Sequence, residues 1–418
     1  MLSPFGTPDA PHTMRDAAGA NAPDVAELTV TGAIAPIEGV WRTFERTAAG
    51  HVFQSVDFVA PWVDTIGAER GVDPRIVIGR ATDGDILFIL PLGVRRSYGR
   101  RRLEWLGGAH ADYHCGLYDP RFLAGLAAAP ERADAFPETI VRLFEGEADV
   151  VHFSRQPPEL AGWPNPFARH KASRHPVSSH ETRLGTGWET YYRGKRNSAA
   201  RRKDRTKLRN LEALGPVRLI DAASPEDVTR VMEALFAQKE RGLTERGVVG
   251  FFDSPAVRAF YSAVALRPYP HGPAHVAALE CGGEIVATNW GLVRADRYYY
   301  VMHSFADVDA ARFSPGRQLM YHLMQWCIAR GIGTFDFTIG DEDFKSHWCE
   351  DSYPLYDSVV ALGGRGVPLS WALRSGTAAK RAVKASRIMR PTAERVRRYL
   401  SVARRRAQTD PPAVDRTA

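Results

Sequence analysis

The stretch SPGRQLMYHLMQWCIARGIGTFDFTIGDEDFKSHW (Ser314–Trp348) decides the fold. Its first half sets Leu319, Met320, Leu323, Met324, Cys327 and Ile328 at helical spacing, which gives one apolar helix face. Ser314-Pro315 is a helix start, and Gly331 is a helix stop. TFDFT then alternates: Thr334, Asp336 and Thr338 share one face, Phe335 and Phe337 the other. Upstream, RYYYVMHS (Arg297–Ser304) reads as another strand. Strand, helix and strand in this order form a βαβ unit whose two strands lie parallel. An acid inside a strand and between phenylalanines is costly to bury bare, so Asp336 needs a partner or a role.

Working outward, HVAALE, the turn Cys281-Gly282-Gly283 and EIVATNWGLV form a hairpin ahead of RYYYVMHS. An earlier part of the chain repeats this order. IVIGRATDGDILFILPL (Ile76–Leu92) resembles VAALECGGEIVATNWGL (Val276–Leu292), and RRLEWLGG matches RYYYVMHS in position. A shared order of helix, hairpin and third strand is the mark of a duplicated fold. An Ala-rich helix over 121–145 follows in the first copy. Residues 154–182 carry Pro157, Pro158, Pro164 and Pro166 and read as a linker or loop. Trp188 to Gly215 reads as one helix.

With 418 residues the chain is long enough for two domains, and its 44% hydrophobic and 25% charged content is that of a globular protein. No apolar run is long enough for a membrane-spanning helix. The Pro-, Ala- and Gly-rich start has no secretory signal pattern, so residues 1–45 read as a disordered N-terminus. Four cysteines without a C-x-x-C pair argue against a zinc ribbon and a disulfide framework and fit the cytosol; no metal is expected.

The net charge of +7 is uneven. Residues 371–418 hold thirteen Lys and Arg against three acids, a tail suited to anionic lipid, nucleic acid or an acidic partner. A solvated helix reads equally well. Between Arg193 and Arg209 nine Lys and Arg face one acid, Asp204. No aromatics interleave there, which argues against stacking on single-stranded bases.

The start of the 314–331 helix exposes unpaired N–H groups, Gly316 admits close approach, and Arg312 and Arg317 add charge. Phosphate or carboxylate suits such a place, although Ser-Pro-Gly is also a routine helix start. No G-x-x-x-x-G-K-[ST], full G-x-G-x-x-G or G-x-S-x-G motif is present.

These elements carry a family resemblance. KRNSAARRKDRTKLRNLEALG, LFAQKERGLTERG, LECGGEIVATNWGL, RYYYVMHSFAD, RFSPGRQLMYHL and FDFTIGDEDFKSHW occur in the order of the GNAT-related acyltransferase domain of the cellulose-biosynthesis (CelD/BcsL-type) acetyltransferases. More distantly the chain is similar to the Fem-type peptidyltransferases, which are two GNAT-like domains in tandem. FQSVDFVAPW and ILFILPLGVRR resemble the family's N-terminal half, so the likeness spans about residues 50–350.

The resemblance implies an α/β fold of mixed sheets: an N-terminal GNAT-like domain over 46–182, a C-terminal GNAT acyltransferase domain over 183–365 and a basic helical tail over 366–418. It implies transfer of an acyl group, acetyl from acetyl-CoA, to a hydroxyl or amine of a saccharide or glycoconjugate intermediate in envelope polysaccharide synthesis. The pantetheine arm would lie between RYYYVMHS and TFDFT, and the pyrophosphate at Ser314, Pro315, Gly316, Arg317 and Gln318. The family's longer Gly-rich loop is reduced here to Ser-Pro-Gly-Arg.

For chemistry, Lys345, Asp336 and His303 are the catalytic candidates, and Glu240 and Tyr300 the substrate-binding ones. A backbone N–H near His303 or Ser304 is expected to meet the oxyanion, and Asp336, His303 or Glu240 to act as base. Each has an ordinary rival: a salt bridge for Asp336, a satisfied strand position for His303, a solvated helix end for Glu240, and pairing with Asp341, Glu342 or Asp343 for Lys345. The cytoplasm is the expected compartment, with the tail at the inner membrane face or on a synthesis complex. A Fem-type transferase that uses aminoacyl-tRNA and a non-catalytic accessory subunit are the alternatives.

Overall fold

The computed structural model describes residues 23–385 except 246 and 249. In chain order the first elements are β1 (Glu27–Thr31), α1 (Glu38–Glu45), α2 (Val56–Trp62), β2 (Val72–Arg80), β3 (Ile86–Ser97), β4 (Arg100–Trp105), β5 (Leu117–Tyr118), α3 (Pro120–Ala128), α4 (Pro130–Arg142), β6 (Val150–Gln156), β7 (Glu159–Leu160) and β8 (Trp163–Pro164). There follow β9 (Ala172–Arg183), α5 (Trp188–Lys195), α6 (Ser198–Glu212), β10 (Val217–Ala222), α7 (Pro225–Glu245), α8 (Pro255–Ala265), β11 (Ala274–Cys281), β12 (Glu284–Arg294), β13 (Arg297–Phe305), α9 (Pro315–Ala329), β14 (Thr334–Ile339), β15 (Asp351–Ala361) and α10 (Val367–Ala385).

Two compact units result. The first takes the residues up to Val59, Gly71–Arg174 and Leu355–Ser370; the second takes Ala60–Arg70, His175–Pro354 and the chain from Trp371. In the first, β1, β2, β3 and β4 pair antiparallel in sequence, β4 pairs parallel with β6, and the returning β15 closes against β6 antiparallel. In the second, β10, β11, β12 and β13 pair antiparallel, β13 pairs parallel with β14, and β9 closes against β14 antiparallel. The duplication read from the two hairpins is therefore a repeat of whole sheet topology. Each core is aromatic: Phe88, Trp105, Phe122, Phe136, Phe153 and Phe167 cluster in the first unit, and Tyr298, Tyr300, Phe335, Phe337 and Trp348 in the second.

Five expectations change. The N-terminal segment read as disordered is ordered from β1 onward; β1 pairs with β2 at five positions, and Trp41 of α1 is buried with its indole N–H donating to Gln54 O at 3.2 Å. The Pro-rich stretch 154–182 is not all loop, because β9 occupies its second half as a strand of twelve residues. ASRHPVSSHETR has no apolar alternation, and its place comes from the ladder with β14. The 121–145 helix divides at Pro130, and the basic helix divides at Asn197, whose side chain caps α6 by accepting from Ala200 N at 2.9 Å. The last strand also returns to the first unit from Leu355 instead of staying with the C-terminal domain. The tail beyond Ala385 lies outside the described residues.

Candidate functional site

The parallel pair β13–β14 defines the site. The two strands face each other at Arg297–Thr334, Tyr298–Phe335 and Tyr299–Asp336, and among the described residues at no further position. Beyond that rung β13 stays with β12, through Asn289–His303 and Ala287–Phe305, and gains an extra residue at Tyr300–Val301. β14 stays with β9, through Thr338–His180. The facing edges therefore part into a wedge. A left-handed Thr338 (φ 57°) and a register shift mark the parting on β14. A β-branched residue at positive φ is costly and is retained where its surroundings over-determine it.

Asp336 supplies part of that determination. Its Oδ1 accepts from Thr338 N at 2.8 Å and its Oδ2 from Arg297 Nη1 at 2.9 Å. Arg297 also donates to Glu181 on β9. Burial works against the guanidinium's charge, but Asp336 and Glu181 more than offset it and hold its pKa above the usual arginine value. Asp336 is thus an ion-pair partner built into the fork.

Lys345 is buried, and its Nζ donates to Ile339 O at 2.9 Å and pairs with Glu342 Oε2 at 2.9 Å. It ties the end of β14 to the following turn. Asp341 of the same acidic triplet is not simply solvated: His180 and Lys384 sit on its two oxygens at 3.2 and 2.8 Å and hold its pKa well below the usual carboxylate range. Glu240 pairs with Arg258 at 3.3 Å on the neighbouring helix α8. His303 and Tyr300 do come together at the wedge, ring on ring, with centroids 4.4 Å apart and planes 12° from parallel. Burial raises the Tyr300 phenol's pKa, so the ring stays neutral.

Ser314 to Gln318 form the first turn of α9 and its cap. Ser314 is left-handed (φ 58°) and makes no side-chain cap to the helix, Pro315 opens the helix, and a Cβ at Gly316 would touch only Phe305 at 3.9 Å. The basic helix reaches the same place, since Lys207 Nζ donates to Ser314 Oγ at 2.5 Å. Burial and the nearby Arg317 and Lys203 lower the Lys207 pKa, the sign of crowded positive charge.

What fixes α6 there is Asp204, the one acid between Arg193 and Arg209. Asp204 is buried and accepts from Tyr192 OH at 2.9 Å and Tyr321 OH at 2.8 Å, with Arg196 at 3.2 Å and Arg317 at 3.4 Å. Burial, then the Asp204 carboxylate, pushes the Tyr192 phenol up to about 12. Sequence reasoning missed this hub, although the lone acid among nine bases was a visible signal. It also missed Glu181 and a polar file through Asp221, His275, Tyr298 and Asn289, for which no local pattern exists. Among the described residues no group of three or more His, Cys, Asp or Glu is placed to hold a metal.

The first unit's copy of the fork is closed. β4 and β6 also pair at three positions, Arg102–Val150, Leu103–Val151 and Glu104–His152. Past them the loop after β4 fills the edge of β6. His114 N donates to Arg155 O at 3.1 Å, His114 Nδ1 meets Ser154 O at 2.9 Å, and Arg155 Nη1 donates to Ala111 O at 2.9 Å. Burial lowers the His114 pKa to about 3, so its ring is neutral. The start of α3 is capped by the Asp119 carboxylate, which accepts from Arg121 N at 2.7 Å, a poor setting for an anion.

A family model described as an acetyltransferase (GNAT) domain matches residues 198–346, the stretch from α6 to the end of the fork. No curated protein matches the chain in sequence. Among solved structures, one titled as the crystal structure of FemX is similar at TM-score 0.56 and 11% identity, over 83% of this chain and 99% of that one. A conserved protein of unknown function from Bacteroides thetaiotaomicron is similar at TM-score 0.52 and 8% identity, over 80% of this chain and 100% of that one. A tandem GNAT protein from the clavulanic acid biosynthesis pathway is similar at TM-score 0.42 and 10% identity, over 81% and 99%. Residues 198–346 of the second unit are thus similar to a GNAT acetyltransferase domain, and the chain has a mixed α/β fold of two tandem GNAT-like units with a C-terminal helix.

Proposed function

We propose that this protein is an acyltransferase that moves an acyl group, acetyl in the simplest case, from a coenzyme A thioester to an amine or hydroxyl. The observation that carries the reading is the parting of β13 from β14 beside the cation-lined start of α9. A thioester arm needs a slot whose walls offer backbone hydrogen bonds, and its phosphates need positive charge at one end. Lys207, Arg317 and the first-turn N–H groups of α9 would take the phosphates. The side chains from α6 would replace the loop amides that Ser-Pro-Gly-Arg lacks.

In the reaction, the nucleophile attacks the thioester carbonyl, and the C–S bond breaks as the tetrahedral intermediate collapses. Backbone N–H groups of β13 past Tyr300 would stabilise the oxyanion. His303 would take the nucleophile's proton, and the departing thiolate ends protonated. Asp336 and Lys345 would act by holding the fork open, Tyr300 by seating His303, and Glu240 would border the acceptor through its pair with Arg258. The closed fork of the first unit leaves one donor site per chain.

For the acceptor we favour a saccharide or glycoconjugate intermediate of envelope polysaccharide synthesis, a choice that rests on the sequence resemblance. Activity with amino sugars and acetyl-CoA, followed by release of free thiol, tests it. The Fem-type alternative, with aminoacyl-tRNA as donor, is favoured by the exposed cations of α6, Arg202, Lys203, Arg205 and Arg209. Competition between bulk tRNA and acetyl-CoA separates the two. No helix among the described residues is long and apolar enough to cross a membrane. Attachment at the inner membrane face through the basic tail belongs to the proposal, and loss of sedimentation with vesicles on deleting 373–418 tests it.

A further inference from the structure

One side of α10 turns apolar residues to solvent. Trp371, Ala372, Ala378, Ala379 and Ala382 fall within about 120° of the helix circumference at 3.6 residues per turn. All five are exposed, Trp371 by 72%. Trp41, Trp62, Trp105, Trp290 and Trp348 are all buried. An exposed tryptophan within an apolar helix side therefore marks a surface built to meet something.

The opposite side holds α10 to the second unit. Leu373 and Thr377 are half-buried there, and Lys384 Nζ donates to Asp341 Oδ2 at 2.8 Å in the turn after β14. Leu373, Thr377 and Lys384 recur at helical spacing, so one side of the helix is seated on its own unit. The apolar side is what remains.

Charge decides what covers it. α10 carries Arg374, Lys380, Arg381 and Lys384 and no acid, and Arg374 and Arg381 border the apolar side. A second copy of the helix would set the same cations against each other. Residues 386–418 hold nine Arg against three acids and are no better matched. An anionic lipid surface attracts the cations and takes up the tryptophan ring, which favours the headgroup boundary. The alanines keep such a contact shallow. We propose that α10 lies in the surface of an anionic membrane, with Trp371 inserted at headgroup level and Arg374 and Arg381 beside the lipid phosphates. The inference rests on the membrane-attachment reading and assigns its apolar anchor, to which the basic tail adds charge. Through the Lys384–Asp341 pair the turn after β14 is carried to the same surface.

The test is binding of full-length protein to vesicles of phosphatidylcholine with and without phosphatidylglycerol. Wild type is expected to sediment with the anionic vesicles, and Trp371→Ala to bind them about tenfold more weakly. The emission of Trp371, taken as wild type minus Trp371→Phe, shifts to the blue on those vesicles and not on pure phosphatidylcholine. The shift persists, at higher vesicle concentration, in a full-length variant with Arg404→Ala, Arg405→Ala and Arg406→Ala. Equal affinity of wild type and Trp371→Ala, or an unshifted Trp371 emission on bound protein, overturns the inference. If binding is then lost only in the triple-arginine variant, the tail alone is the anchor and the membrane reading survives without α10. If wild type does not bind, both fail. A blue shift that follows protein concentration without vesicles assigns the surface to a second copy and overturns the inference too. Acetyl-CoA binding to the wild type tests the acyl-transfer reading separately.

Discussion

Arg297 Nη1 donates to Asp336 Oδ2 at 2.9 Å beside the last shared rung of β13 and β14, and among the described residues no rung follows. The ion pair sits where the sheet must stop pairing without coming apart. Glu181 shares the same guanidinium from the opposite neighbour, β9, so three strands are pinned at one point.

Asp336→Asn should therefore destabilise the protein. Breaking a buried pair costs about 3–5 kcal/mol when the partner is stranded. Glu181 still compensates Arg297, so a loss near the lower end, about 3 kcal/mol, is expected from urea unfolding of full-length protein. A change below about 1 kcal/mol would show that the fork does not depend on this pair.

The closed fork of the first unit carries a pH signature. The folded His114 pKa, about 3, lies below the unfolded value of about 6.5. The unfolded chain therefore binds the extra proton first as pH falls. The stability contributed by neutral His114 is complete above about pH 6.5 and declines as pH drops toward the folded pKa, by up to about 1.4 kcal/mol per pH unit. His114→Gln keeps a donor for Ser154 O and removes the titration. Between pH 7 and pH 5 the wild type should lose about 1–2 kcal/mol more than His114→Gln in urea unfolding. Parallel pH dependences would refute the assignment.

The cations at α9 predict a salt-dependent donor affinity. Lys207→Ala and Arg317→Ala should each weaken acetyl-CoA binding about tenfold at low salt, and less at about 0.5 M salt, where screening is strong. Asp204→Asn should weaken it too, because Asp204 docks α6 against Arg317 and Tyr321. Equal loss at low and high salt for the lysine variant would point to damaged packing instead of a lost phosphate contact.

Much of the fork was legible in the sequence, because helix periodicity and strand alternation over Ser314–Thr338 are strong local signals. The duplication was legible from its hairpins. What stayed hidden depends on pairing between distant segments. β9 has no apolar pattern and is a strand only through its ladder with β14. Asp336 stood out as an oddity, but its partner Arg297 lies 39 positions away in sequence. Asp204 looked like an exception on a charged face and is the buried anchor of that face. The start of β1 was masked by its Pro- and Gly-rich leader.

The central claim is one donor site per chain, at the open fork. Calorimetric titration of the full-length protein with acetyl-CoA tests it most directly. A stoichiometry of one, with affinity weakened by Lys207→Ala and untouched by Asp119→Asn at the start of α3, is the predicted result. No binding at millimolar acetyl-CoA, or two sites per chain, would contradict it.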